Sequence, residues 1–471
     1  MSAGRRRAWS AGLTGALVVL AVLALVAAGF GVFRQAVGGG GTAGAAAGPG
    51  HRFGTLQTAP ERAAEEYAHG LRIAHLQIDW ARFEPERGVY DEGYAREVRD
   101  RLRTFRDAGL EVEAGLGLNH PPDWLADAYP ESVWRDQYGD TSTAVPNIVF
   151  SAPVRDEVGR YVRRVAERIG LDGVAAIRVG IDENGELGYP RAVSDGRATG
   201  SFWAYDPHAQ AASPYPGWRP GETTYRGAPF GEDQVTRWYE WYLGELADAV
   251  DWQLGLFGEL APRAELKVLV PGAGYYPSDY RRAVSHHLDD DHTARLIGRG
   301  IGLFRVLGLI GHGDRVHVVT TALVDGTGSP VDNGCSPADP ARLPTASDAT
   351  VRAWSSARWV VAVARAEGFR HIDGESAGQQ VAAYRPGVMA AAFHQFDSCG
   401  LGDLLWAFDH NLYDGTPGSS LADYTPWVRD RSGRRVEAVT VTGPVTAGGG
   451  RSAAGCRCRR TPEGCGPSRG G

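Results

Sequence analysis

The amino-acid sequence predicts an α/β fold, a (β/α)8 TIM barrel with an inserted loop region after strand 4. Three observations lead there. Eight short strand-like runs alternate with amphipathic, helix-like segments, and such alternation implies a parallel sheet because each return to the same edge needs a crossover helix. The eight units occupy about 380 residues, which suits a closed barrel with insertions. The rival, an open doubly wound sheet, would need a phosphate-binding turn, and no G-x-G-x-x-G follows an early strand.

The strand-like runs are residues 52–57, 71–78, 110–116, 174–181, 266–270, 316–321, 371–373 and 401–408. Helical periodicity covers 94–108, 153–169, 234–260, 350–367 and 381–396. Barrel chemistry gathers at the carboxyl ends of strands, so the residues that follow each run are the candidates for a site. Asp79 and Trp80 end the second run, and Asn119 and His120 the third. Glu183 and Glu186 follow the fourth, Tyr275 and Tyr276 the fifth, and Asp325 the sixth. Glu375 follows the seventh, and Trp406, Asp409, His410 and Asn411 the eighth. Most of these ends pair a hydrogen-bonding group with an aromatic face, as a site that discriminates hydroxyls in water must do.

Glu186 and Glu375 are the leading pair. Each lies where a hydrophobic run stops at a glycine-rich turn, in Asn184-Gly185-Glu186-Leu187-Gly188 and Asp373-Gly374-Glu375-Ser376. Two carboxylates at strand ends, distant in sequence, are what glycosidic-bond cleavage requires: one donates a proton to the leaving oxygen, and the other attacks the sugar carbon or activates a water. The donor needs a raised pKa, which partial burial against aromatic walls would supply, and Tyr189, Trp203 and Tyr205 are the expected walls for Glu186. Glu375 must stay ionised, with His371, Ser376 or Gln379 as candidate donors. Trp203 falls in the insertion 191–231, where it is expected in a subsite platform or lid.

Composition frames this reading. The 471 residues are 43% hydrophobic and 10% aromatic, enough for a large core. The net charge is −7 even with Arg5, Arg6 and Arg7 included, which argues against a nucleic-acid partner. Residues 13–33 carry no charge and follow that basic cluster, so residues 1–50 read as a cytoplasmic stub, a membrane anchor or cleaved signal, and a Gly/Ala tether. Either form puts the body outside the cytoplasm. Residues 51–430 form the expected catalytic domain, and 431–471 an expected disordered, low-complexity tail.

Cys335 and Cys399 lie in the body and are candidates to pair, whereas the tail holds Cys456, Cys458 and Cys465. No C-x-x-C, H-E-x-x-H, P-loop or G-x-S-x-G occurs, so no metal and no cofactor is assigned. The run from His286 to His292 reads as a solvated loop, because contiguous ligands rarely converge on one ion.

From the second strand onward the chain reads Asp79-Trp80-Ala81-Arg82-Phe83-Glu84-Pro85, then Gly88, Tyr90 and Asp91. After the third come Pro122-Asp123-Trp124-Leu125, Asp136-Gln137-Tyr138-Gly139 and Pro146-Asn147. These segments resemble clan A glycoside hydrolases, with most likeness to the family 42 β-galactosidase type, over roughly residues 71–186. The resemblance implies a barrel glycosidase acting on an oligo- or polysaccharide, and it makes Trp406 the expected floor of the catalytic subsite. Clan A members usually end the fourth strand in Asn-Glu, whereas this chain offers Asp182-Glu183 and then Glu186. The turn Gly185-Glu186-Leu187-Gly188-Tyr189-Pro190 is also similar to the one that carries the general acid in family 14 β-amylases, which favours Glu186 and leaves Glu183 as the alternative acid.

The expectation is therefore an exported glycoside hydrolase, β-galactosidase-like. A β-amylase-like inverting enzyme and a non-catalytic carbohydrate-binding barrel are the alternatives, since fold alone does not fix activity.

Overall fold

The computed structural model describes residues 51–192, 200–289, 294–324, 333–337, 339, 350–376, 387–407 and 409–432. The expected amino-terminal anchor or signal, most of the expected tail, Asp325 and Gln379 lie outside these residues. Among the described residues no helix is long and apolar enough to cross a membrane.

Eight parallel strands close into a barrel. They are β1 (Arg52–Thr55), β2 (Ile73–Gln77), β3 (Glu111–Gly115), β4 (Ala176–Val179), β5 (Glu265–Val270), β6 (Val316–Thr320), β7 (His371–Glu375) and β8 (Asp403–Trp406). Each pairs with its sequence neighbour, and β8 pairs with β1 through Arg52 opposite Asp403 and Thr55 opposite Trp406. The main helices are α1 (Glu92–Asp107), α2 (Ala152–Arg168), α3 (Glu232–Leu260), α4 (Ser356–Ala366), α5 (Val388–Cys399) and α6 (Leu421–Arg431).

Local sequence sets several boundaries. Asp91 caps α1 by accepting from the Tyr94 N–H at 2.8 Å, and Ser151 caps α2 by accepting from Val154 at 3.2 Å. Helix α5 stops at Gly400, whose φ of 60° is the left-handed conformation that glycine adopts without strain. The fourth helical segment is divided: a short 3-10 turn, Val351–Ala353, precedes α4, which starts afresh where Ser355 accepts from the Arg358 N–H at 3.1 Å.

Alternation along each strand sends Val112, Ile177, Leu266, Val268, Val318, Ile372 and Leu404 into the hydrophobic core. The opposite faces carry ions that meet across the barrel. Arg52 on β1 reaches Glu265 on β5 at 2.7 Å, and Lys267 on β5 reaches Asp403 on β8 at 2.7 Å and Asp373 on β7 at 3.3 Å. Only residues pointing inward can make such contacts. A barrel lumen is usually filled by branched aliphatic side chains. Here it is a stack of ion pairs, each partner offsetting a desolvation cost of several kcal/mol.

The insertion after β4 folds onto α3. Phe202 packs on Trp238 with ring centres 5.8 Å apart, the Trp203 N–H donates to the Tyr242 hydroxyl at 3.0 Å, and Trp203 also donates from Nε1 to the Pro190 carbonyl at 2.8 Å, while just ahead of the insertion Tyr189 stacks on Tyr242 at 3.9 Å. Cys335 and Cys399 form a disulfide that fastens the segment after β6 to α5.

Candidate active site

Glu186 and Glu375 both lie at the carboxyl ends of strands, Glu375 closing β7 and Glu186 in the turn after β4. The segment after β6 touches both: the Thr321 hydroxyl donates to Glu186 Oε1 at 2.5 Å, and the Leu323 N–H donates to the Glu375 carbonyl at 3.2 Å. Glu186 is also close enough for its charge to act on the Glu375 carboxyl.

A tight turn presents Glu186. The Ile181 and Asp182 N–H groups donate to the Glu186 carbonyl at 2.9 and 3.0 Å, and Asp182 Oδ1 accepts from the N–H groups of Asn184 and Glu186, both at 2.9 Å. Gly185 takes a φ of 73° within this turn. Asp182 is fully buried and also accepts from Arg299. Burial, with the neighbouring Glu186 charge, pushes its carboxyl up to about 7 although Arg299 opposes this. Asn184 adds a donor to Glu186 Oε2 at 3.3 Å.

Glu183 is turned elsewhere. Its carboxylate accepts from the Arg191 N–H at 3.0 Å and its carbonyl from Asn119 Nδ2 at 3.4 Å, so it closes the loop after β4. The two glutamates that the sequence left in competition thus have different partners.

Glu375 sits deeper, 6% exposed, and accepts from the Arg178 guanidinium on β4. Burial pushes its carboxyl above the ordinary range; Arg178 works against that push, and Glu113 and Glu186 add to it. Two of the donors expected for Glu375 do other work. His371 stacks on His317 at 4.7 Å, and the Ser376 hydroxyl accepts from the Ala407 N–H at 2.9 Å. Arg178 escaped the sequence reading because it stands inside a hydrophobic run. Its signal was a lone cation at an inward position of a buried strand, where only a charged partner would stabilise it.

The expected sugar contacts divide. Asn119 is at the mouth, accepting from Gln77 Nε2 at 3.4 Å, and shares a cavity of about 50 Å³ with Gln77, Arg178 and Asn184. His120 is exposed beside it. Asp79 instead caps the short helix Trp80–Phe83, accepting from the Arg82 N–H at 3.1 Å. Trp80 is 0% exposed, stacked on Tyr161 at 4.5 Å and donating to Glu84 at 3.0 Å, and Trp203 is likewise 0% exposed. Neither offers a face to a sugar, which corrects the expectation for both; large rings here pin loops to the core.

Trp406 is buried against Tyr424, ring centres 5.5 Å apart, and Tyr276 against Trp359 at 5.0 Å. Trp406 is therefore not the exposed floor that the resemblance implied, and the Tyr276 ring is not open to a sugar. Asn411 is buried and donates to Asp414 at 2.9 Å and Thr416 at 3.1 Å, so it braces its own turn. Asp325 and the Asp409 side chain lie outside the described residues. The rings expected as walls for Glu186 are engaged elsewhere: the Tyr189 hydroxyl donates to the Tyr242 carbonyl and that of Tyr205 to the Trp218 carbonyl, both at 2.8 Å.

A larger cavity, about 270 Å³, lies under the loop after β3, between Pro122, Leu125, Trp134, Val145 and Pro146. Neither glutamate lines it. His286 and His287 are engaged by the carbonyls of Arg282 and Phe230 at 2.8 and 2.7 Å.

Residues 57–185 match the family 42 glycoside hydrolases, described as β-galactosidases. Over 129 residues, 25% of this chain and 20% of the relative, the sequence is 34% identical to a β-galactosidase of Thermus thermophilus. Over 73 residues, 15% of this chain and 10% of the relative, it is 40% identical to a β-galactosidase of Bifidobacterium bifidum. The chain therefore spans a fifth or less of the length of these curated relatives. Its fold is similar to the β-amylase catalytic domain of Paenibacillus polymyxa, with a TM-score of 0.53 and 14% identity over 81% of this chain and 97% of that one. The family match includes Glu183 and ends at Gly185, so Glu186 and Glu375 both lie outside it.

Proposed function

We propose that this chain is a glycoside hydrolase, β-galactosidase-like, with Glu186 as acid/base and Glu375 as nucleophile or base. The reading is supported by the placement of both glutamates at carboxyl strand ends of one closed barrel, with the Thr321 hydroxyl donating to the Glu186 carboxylate and the Leu323 N–H to the Glu375 backbone carbonyl, and by the Glu186 charge acting on the Glu375 carboxyl. Glu186 stands nearer the solvent, braced by Thr321 and Asn184, and would pass its proton to the leaving glycosidic oxygen. Glu375 is gripped by Arg178, which favours the ionised form needed to attack the anomeric carbon or to draw a proton from water. The likeness of residues 57–185 to family 42 supports a β-galactoside as substrate.

The turn Gly185-Glu186-Leu187-Gly188-Tyr189-Pro190 favours a second reading, β-amylase-like hydrolysis of α-glucans with inversion. Export is part of the proposal, supported by Arg5, Arg6 and Arg7 ahead of the uncharged residues 13–33. The test is a panel of nitrophenyl glycosides and maltooligosaccharides, with the first-formed anomer read by proton NMR. Release from the β-galactoside with retained configuration is the expected result. Inverted product from α-glucans would move the assignment to the second reading, and no release from any sugar would leave a carbohydrate-binding barrel.

A further inference from the structure

We propose that Glu113 is a positioning residue for Glu375, acting through Arg178, whose guanidinium the two carboxylates share. The inference rests on the proposed role of Glu375 in hydrolysis. Arg178 Nη1 donates to Glu113 Oε1 at 3.0 Å, while Nη2 donates to Glu375 Oε1. A guanidinium is a planar fork, so fixing one prong on Glu113 fixes the direction of the other. Glu113 is itself held from below: its second oxygen lies 2.9 Å from Lys267 Nζ, and Lys267 is anchored to Asp403 at 2.7 Å and Asp373 at 3.3 Å. The chain of contacts runs from the barrel floor to the reacting carboxylate through side chains that are nearly all buried.

The sharing also sets charge. Arg178 divides its attraction between two anions, and Glu113 repels Glu375 directly. Among the described residues, the charged groups that act most on Glu375 are Arg178, Glu113 and Glu186, and those that act most on Glu113 are Lys267, Arg178 and His75. Burial lowers His75 to about 4, so it is neutral where most enzymes work and leaves Lys267 and Arg178 as the working cations. Burial and Glu113 together thus hold Glu375 above the ordinary carboxylate range while it touches a cation.

Glu113→Gln and Arg178→Gln test this with opposite signs. The readout independent of activity is the pH midpoint for carbodiimide-driven coupling of glycine ethyl ester to Glu375, followed by peptide mass spectrometry. The midpoint moves to lower pH in Glu113→Gln, where Arg178 serves Glu375 alone, and to higher pH in Arg178→Gln. On an aryl β-galactoside, Glu113→Gln loses on the order of tenfold to a hundredfold in kcat with KM nearly unchanged, as expected for a misaimed group. An unchanged midpoint in folded Glu113→Gln, or shifts of the same sign in both variants, overturns the proposal. Should Glu113→Gln fail to fold, Glu113→Asp keeps the anion beside Lys267 but withdraws it from Arg178; kcat must fall, and a wild-type rate overturns the proposal. If the wild-type protein hydrolyses no glycoside, the hydrolase reading fails alone, and the opposed midpoint shifts still decide whether the guanidinium is shared.

Discussion

Replacing Lys267 by methionine should be the most damaging conservative change in the barrel lumen. The ammonium is 2% exposed and has Asp403, Glu113 and Asp373 at 2.7, 2.9 and 3.3 Å. Methionine fills a similar volume, but the carboxylates stay, buried without their common cation. Breaking a buried pair by removing one partner costs about 3–5 kcal/mol, a large part of the roughly 5–15 kcal/mol that holds a domain folded. Dependence on pH follows from the shifts. Burial works to raise Glu113 and Asp403, yet Lys267 with Arg178 and Arg52 outweighs it and holds both below the ordinary range. Their stabilisation is therefore present above the unfolded-state values near 4 and lost as pH falls through the folded ones. In Lys267→Met the same carboxylates shift upward, so the penalty is largest at neutral pH and relieved on acidification. Urea unfolding followed by tryptophan fluorescence should give a wide gap from wild type near pH 7 that narrows towards about pH 4. A variant within about 0.5 kcal/mol of wild type, or a gap that widens in acid, would refute this account of the lumen.

Other expectations concern single sites. Asp182→Asn should flatten the stability profile between about pH 4 and pH 7. The native carboxyl is raised by burial to about 7, so its contribution is present below the unfolded value and lost as pH rises through the folded one; urea midpoints with the same slope in both proteins would contradict it. Reduction of the Cys335–Cys399 disulfide, which closes a span of 64 residues, should cost up to about 4 kcal/mol, read as a lower urea midpoint with reductant than without. Trp80→Phe should lose about 1–3 kcal/mol of stability, through the lost bond to Glu84 and the smaller ring, while KM stays put. A large rise in KM at full stability would restore Trp80 to the sugar site.

All eight strands were legible, because a parallel strand covered by helices must carry apolar residues on at least one face, and runs such as Val316–Thr320 and Glu265–Val270 leave no other reading. Glu186 and Glu375 were singled out for a related reason: strand ends are where the chain leaves the core, and an acidic side chain there stands out. Less legible was which neighbours act on them. Arg178, Glu113 and Lys267 alternate with apolar residues, as in Glu111-Val112-Glu113-Ala114 and Glu265-Leu266-Lys267-Val268, and that period of two resembles a half-solvated strand. Closure of the barrel turns the polar face inward, where each charge must find its complement across the lumen. Aromatic residues misled in the opposite direction. Trp80 follows a strand end and Trp203 lies in the insertion after β4, but burial of a large ring outweighs its use as a platform, and packing partners such as Tyr161 are distant along the chain.

Rates of Glu186→Gln, Glu375→Gln and Glu183→Gln on the glycoside that the wild-type protein cleaves test the central claim most directly. The first two should each lose about a thousandfold or more in kcat, whereas Glu183→Gln, which alters only a loop-closing bond to Arg191, should stay within about tenfold. Loss of activity in Glu183→Gln with a near-native rate in Glu186→Gln would contradict the pairing of Glu186 with Glu375.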